Sequence, residues 1–520
     1  MDKNTTHLAL KLQVESASIV AHHLDDQSVD STSATDQHVS TLRKWLLKIK
    51  GDIHATDDPR QYPQAKKNLI VFIVALSGLY GPISTLIYVP GMLQMAKDLD
   101  ASIEAINATM SAYIALAGLS PLFWSSISDA YGRRPVYIIS ISIGIVASIL
   151  CASSKNIATL IVFRALQASG ASSGQTLGAG SIADVFDVAE RGKAFGVFFI
   201  GPLLGPSIGP LIGGILCEFR GWQSSFYFVA EFGGCILVLV TFFLPETVRR
   251  ERPVPRKSSL DIKAVNTNSI RSTFTPLVTM LSDLSILVMT LYGTILFASL
   301  FVLNPTITDT FKTLYNYNAW QVGLSYLCLG GGLVVGSVIS GIYSDRVIKD
   351  LRKKLGPENV YPELRLKTAY PSFILVPAGY LIYAWTTEKH VGVYGPLFGL
   401  FIYAIGQMFA MTSSSIYYVD SKPGRSASAV AINNCIRSLA AAVVTIFSTT
   451  WVRSMGPGKV FTILAAISIV NTTFVLLVKL YGRKWRMDFE KRMETASVLK
   501  NNSINEDDSI MPDVDEQEKV

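Results

Sequence analysis

Two arginines, Arg164 and Arg437, lie inside stretches that are otherwise long and apolar. An arginine in mid-span costs about 2.5–3.5 kcal/mol on insertion scales, so each must face a cavity or a partner. In "RALQASGA" (164–171) Gln167 follows Arg164 by one turn. Gln175 lies eleven residues on, close to three full turns, which predicts one polar stripe of Arg164, Gln167 and Gln175. In "AINNCIRSLAAA" (431–442) Asn433 and Asn434 precede Arg437 by four and three residues, so the three are expected to converge. A guanidinium binds carboxylates through paired hydrogen bonds, and two such groups at membrane depth point to recognition of an anion. The structural alternatives are an Arg164 tied to backbone carbonyls and an Arg437 buried among interhelical asparagine bonds.

These residues need a membrane-embedded scaffold, and the composition supplies one. The chain has 520 residues, 49% hydrophobic and 16% charged, with a mean hydropathy of +0.36. A soluble domain of this size needs far more charge to cover its surface. Twelve apolar blocks of spanning length can be marked. They are about 69–93, 105–127, 136–152, 157–179, 194–216 and 223–244, then 284–304, 320–343, 368–387, 391–418, 426–450 and 457–481. Basic residues orient them. Outer loops would hold Lys97, Lys155, Arg220, Lys312, Lys389, Arg453 and Lys459; with Arg164 and Arg437 in spans, 37 of the 46 Lys and Arg remain inside. Both termini are therefore expected in the cytoplasm, and the net charge of +7 reads as inner-face anchoring, with no sign of a nucleic-acid partner. The polar segments 1–65 and 486–520, the second one acidic, read as disordered cytoplasmic tails. Between them lie a six-span bundle over 66–245, a cytoplasmic loop over 246–282 and a second bundle over 283–485.

The halves echo each other. "SSISDAYGRRP" (125–135) follows the second span and "GIYSDRVIKD" (341–350) follows the eighth, so Asp129, Gly132, Arg133 and Arg134 have counterparts in Asp345 and Arg346. Six plus six spans with a repeated loop is the pattern of a duplicated secondary transporter. "GVFFIGPLLGPSIGPLIGG" (196–214) carries six glycines and three prolines without a charge. Glycine at every fourth position makes a smooth stripe that lets a neighbouring backbone approach, and prolines shape the helix as a hinge.

The 125–135 loop, the "RALQASGA" run and the 196–214 stretch resemble signatures of the major facilitator superfamily. Gly196, Gly205, Gly209, Pro210, Gly213 and Gly214 match the span-5 antiporter motif; "LPET" (244–247) and "YPELRL" (361–366) resemble fungal twelve-span drug:proton antiporters. The closest resemblance is to the branch of quinidine-resistance-type, dityrosine and citrate exporters, over roughly 66–485. Ser125 and Ala130 depart from the loop signature, which usually has glycine and a basic residue there. The resemblance implies an all-α fold of twelve transmembrane helices in two pseudo-symmetric six-helix bundles. It implies that Asp129, Gly132, Arg133 and Arg134 form a latch at the inner gate, the alternative for the arginines being a plain inner-face anchor. It also puts spans 1, 4, 7 and 10 along a central path, which adds Tyr80, Asn304 and Gln407 as candidate cavity residues, and it makes spans 3, 6, 9 and 12, with the acid Glu231, peripheral.

No phosphate loop, HExxH or nucleophile elbow is present, so no enzyme, cofactor or metal is expected. The five cysteines lack metal-ligand spacing and read as small hydrophobes, with a Cys151–Cys217 pair left open. The expectation is a monomeric plasma-membrane exporter, the vacuolar membrane being second choice, that moves small organic anions such as citrate by alternating access, with protons as the coupling ion. Two arginines against one doubtful acid favour anions. The alternative is a multidrug:proton antiporter for neutral or cationic compounds.

Overall fold

The computed structural model describes residues 58–187, 190–248, 280–356, 361–422 and 426–509. Most of the expected tail 1–65 and of the loop 246–282 lies outside them. In hydrocarbon every backbone N–H and C=O must be paired within the segment, so apolar runs of this length fold as helices.

The first half holds α1 (Gln64–Leu86), a short α2 (Met92–Asp98), α3 (Ile103–Tyr131), α4 (Arg133–Ala152), α5 (Ile157–Ala171), α6 (Ser173–Val185), α7 (Arg191–Arg220) and α8 (Gln223–Phe243). The second holds α9 (Leu284–Thr313), α10 (Ala319–Leu355), α11 (Tyr370–Glu388), α12 (Tyr394–Ser421), α13 (Ser426–Met455) and α14 (Pro457–Ser509). Among the described residues, ten helical segments are long and apolar enough to cross a membrane, α1 and α2 counting as one. The other two crossings are α5 with α6, divided at Ser172, and the 19-residue α11. Starts are set by side-chain caps: Ser102 and Asn156 accept from the backbone N–H three residues on, and Asn318 with Gln321 forms a capping box. One expectation is corrected at the C-terminal end. Residues 486–509 continue α14 as helix where a disordered tail was expected to begin.

The duplication is visible in the packing. In the first half α1 packs on α7, α3 on α5, α4 on α5 and α8. In the second half the equivalent helices repeat these pairings, α9 on α13, α10 on α12, α11 on α12 and α14. The halves meet along α3 with α13 and α7 with α10.

The proline-rich stretch is one uninterrupted helix, α7, with Pro202, Pro206 and Pro210 inside it. Its glycine stripe lies on α1. A β-carbon on Gly201, Gly205 or Gly213 would collide with the Ala75 carbonyl, Pro82 or the Ile87 carbonyl, and one on Gly209 would stand 3.2 Å from the Ile83 carbonyl. Gly214 and Ser207 instead meet α10, at Ala319 and Gly330, and the Pro210 carbonyl lies against Gly323. This helix therefore mortises α1 on one side and the other half on the other. Gly196 has open space around it and takes no part.

Candidate functional site

The two arginines lie in different surroundings. α1 stops at Leu86, and the chain turns through Val89–Gly91 before α2 begins. The last carbonyls of a helix lack intrahelical partners and carry partial negative charge. Arg164 supplies those partners: Nη1 donates to the Ser84 carbonyl at 2.8 Å and Nη2 to the Thr85 carbonyl at 3.3 Å. Nη1 also donates to Gln167 Oε1 at 2.6 Å, and Gln167 donates on to Ser148 Oγ at 2.8 Å. The guanidinium lies over the rings of Tyr88 and Tyr113, 4.5 and 4.3 Å from their centroids. Arg164 and Gln167 are both fully buried. Of the alternatives, Arg164 thus takes the one tied to backbone carbonyls, and the expected single stripe is corrected: the break at Ser172 separates the buried pair from Gln175, which is exposed. Tyr80 also turns away from the centre. It fills a slot whose walls are Gly144 of α4 and Gly233 of α8, where a β-carbon would stand 2.9 Å from its hydroxyl.

Arg437 has no such lock. Its guanidinium rests 4.3 Å from the centroid of Phe297 on α9, and Nη1 makes one contact, 3.6 Å to Met411 Sδ on α12. Among the described residues no carboxylate pairs with it, and its Nε has no partner. The side chain is half-buried and points away from the outward stripe of α13, which is formed by Leu439, Val443 and Phe447. Its remaining exposure is therefore to the interior. One turn earlier, buried Asn433 accepts from the Tyr418 hydroxyl at 3.1 Å. The backbone carbonyl of Asn434 lies beside Gly118 on the seam with α3. Gln407, one turn before Met411, donates to the Leu296 carbonyl at 3.2 Å and leaves its own Oε1 unpaired. Arg437, Phe297, Met411, Gln407, Asn433 and Tyr418 thus gather where α9, α12 and α13 meet. Phe297, Met411 and Tyr418 carry no polar anomaly in the sequence, which is why pattern reading missed them. Asn304 lies two turns beyond Phe297 on α9; its backbone carbonyl accepts from the Tyr326 hydroxyl at 2.5 Å, and its side-chain Oδ1 is buried without a partner among the described residues.

The loop after α3 is a charge network. Arg133 pairs with Asp129 at 2.8 Å and with Asp184 of α6 at 3.2 Å, and Gly132 turns the chain with φ of +106°. Glu246, from "LPET", caps the start of α4 by accepting from the Arg133 and Arg134 amides at 2.8 and 3.2 Å. Arg134 Nη2 donates to the Thr241 carbonyl at 2.5 Å. All these partners belong to the first half. Asp345 and Arg346 are exposed and, among the described residues, make no ion pair.

At the opposite end, polar bonds cross between the halves. Asn107 donates to Thr449 Oγ1 at 2.7 Å and to the Ile446 carbonyl at 3.3 Å, Thr450 bonds Glu104, and the Ala319 amide donates to Glu218 at 2.9 Å. Arg453 grips Asp309 through two bonds of 2.6 and 3.0 Å. A cleft of about 540 Å³ beside these contacts is lined by Lys97, Lys312 and Arg453 among others. The cysteines are all free, so Cys151 and Cys217 are separate buried thiols.

Comparison with known proteins gives consistent matches. The family model of the Major Facilitator Superfamily matches residues 71–445. The MFS antiporter QDR3 of Candida albicans is 27% identical, over 90% of this chain and 85% of its own length. Citrate exporter 1 of Aspergillus niger is 29% identical, over 84% of this chain and 90% of its own. Among solved structures, the human organic anion transporter MFSD10 (TETRAN) superposes with a TM-score of 0.56 at 18% identity, over 80% of this chain and all of that one. That last likeness is one of fold.

Proposed function

The chain belongs to the Major Facilitator Superfamily, and from that premise we propose that it exports small organic anions, citrate or a related carboxylate, by alternating access driven by the proton gradient. The proposal places it in the plasma membrane with both termini in the cytoplasm, so that the Arg133 network lies at the inner mouth and the Arg453 cleft at the outer one.

One observation carries the substrate class: Arg437 is a guanidinium facing the interior with a ring and a thioether for company and no counter-ion among the described residues. A half-buried cation without a counter-ion is costly, and a substrate carboxylate would relieve that cost through charge-assisted hydrogen bonds. Arg164, spent on the α1 carbonyls, is assigned to architecture. The basic outer cleft suits release of an anion, and one relative's name, Citrate exporter 1, is of the same class. In the proposal, proton exchange occurs at the Asp129–Arg133–Asp184 network, where carboxylates and a guanidinium already share one mouth.

The test is export from intact cells against a panel of citrate, malate, quinidine and polyamines, with and without a protonophore. Losing a charged hydrogen-bond partner costs about 1.5–3 kcal/mol, so Arg437→Ala should lower citrate efflux about tenfold or more at equal surface abundance. Efflux at the wild-type rate refutes the assignment. The second reading, a multidrug:proton antiporter, draws on Phe297 and Met411, an adaptable apolar surface beside the cation. Drug resistance without organic-acid flux would select it.

A further inference from the structure

Glu231 is unused by the site described above, yet it lies well inside a span. It is the ninth residue of the 21-residue α8, about 12 Å from the start of that helix. The buried face of α8 is formed by Ser225, Phe226, Val229, Ala230, Gly233, Ile236 and Val240. Glu231 is on the opposite face. It is exposed, in line with exposed Tyr227, Cys235, Val238 and Phe242. Spacings of three and four residues put these five on one stripe. Among the described residues Glu231 has neither a hydrogen bond nor an ion pair. Gly234, beside it, has no atom within 4 Å of where a β-carbon would stand.

A carboxyl group looking into hydrocarbon leaves donor and acceptor unsatisfied at a cost of several kcal/mol. Basic residues at comparable depth, Arg164 and Arg437, both face the interior, so a lipid-side partner from this chain's own sequence has to be something else. A neutral carboxylic acid has one O–H donor and one carbonyl acceptor, and is therefore complementary to a copy of itself. A twofold contact brings the same residue of each copy together. Gly234 removes the side chain that would hold two helices apart, as small residues do at membrane helix interfaces.

We infer that α8 is a dimerisation face: two copies of the chain meet through Tyr227, Glu231, Gly234, Cys235, Val238 and Phe242, with the two Glu231 carboxyl groups hydrogen-bonded to each other across the twofold axis. Cys235, one turn from Glu231, then faces its own counterpart and reports the contact.

The experiment is oxidative cross-linking of the full-length chain in native membranes with copper phenanthroline. A disulfide-linked product of twice the chain mass is expected, absent in Cys235→Ser. Glu231→Gln keeps a donor and an acceptor and should retain the product, whereas Glu231→Leu should reduce it about fivefold, the effect of about 1 kcal/mol lost from an interhelical hydrogen bond. Both variants face lipid, so neither disturbs packing within the monomer. A product that survives Cys235→Ser, or one indifferent to Glu231→Leu, overturns the inference. So does a product containing a different protein, or a single photobleaching step for each fluorescently tagged chain in the bilayer.

Discussion

Replacing Arg164 separates an architectural arginine from a substrate-binding one. The perturbation is Arg164→Met, which keeps a long unbranched side chain in a fully buried site and removes every donor. Three acceptors then lose their partners: the Ser84 and Thr85 carbonyls and Gln167 Oε1. A buried acceptor left unpaired costs about 1–3 kcal/mol. Part of that sum is returned because the buried charge is gone as well. A net loss of about 3 kcal/mol follows, a large fraction of the roughly 5–15 kcal/mol by which folded domains are stable. The turn at Val89–Gly91 should loosen first, since its preceding carbonyls are the ones released. Thermal unfolding of purified protein in detergent reads the stability, and uptake into inverted vesicles reads KM for the transported anion. The expected result is a clearly lower melting temperature for Arg164→Met, an intermediate one for Arg164→Lys, and an unchanged KM in the protein that survives. A variant that melts with the wild type while its KM rises about tenfold, the effect of about 1.4 kcal/mol, would refute the architectural assignment.

Three further predictions follow from the packing. Gly213→Val should abolish stable expression because its β-carbon meets the Ile87 carbonyl, whereas Gly196→Val, with open space around it, should express at the wild-type level on an immunoblot. Glu246→Ala removes the cap of α4 and should cost about 1–2 kcal/mol, measured as a lower melting temperature at unchanged substrate KM. Asn107→Ala removes two bonds between the halves at one end, so about 1 kcal/mol or more should shift the equilibrium toward separation there. The readout is faster maleimide labelling of a cysteine introduced at Gln94, which lines the cleft at that end; an unchanged labelling rate contradicts it.

Much of the scaffold was legible because a bilayer makes few demands and makes them strictly. Runs of about twenty apolar residues, the repeat of "SDAYGRRP" in "YSDRVIKD" and the glycine ladder of α7 each translate into structure through length or spacing alone. The site was less legible. Helical arithmetic put Arg164 and Gln175 on one face, but it assumes an unbroken helix, and the crossing is divided at Ser172. It put Asn433 and Asn434 with Arg437 on one turn of continuous helix; Asn433 accepts from Tyr418 at the junction where Arg437 lies, and the backbone carbonyl of Asn434 lies on the seam with α3. Tyr80 was assigned to the central path by its span, yet glycines 64 and 153 residues further on form the slot that takes its ring. Glu246 stood in a noticed motif without a role, because the amides it caps are more than a hundred residues away.

The residues alone identify a polytopic helical membrane protein of two repeated halves, with two intramembrane arginines that require partners. Hydrophobic length, small-residue period and intramembrane charge are local quantities, and one chain displays them unaided. Which arginine keeps its donors available emerges from the packing of the helices. The end of α1 delivers two unpaired carbonyls to Arg164 and consumes its donors. Arg437 rests against Phe297 and Met411 and, among the described residues, has no carboxylate or carbonyl partner. A guanidinium's availability is set by what the rest of the fold brings within 3 Å of it, and no spacing along the chain encodes that.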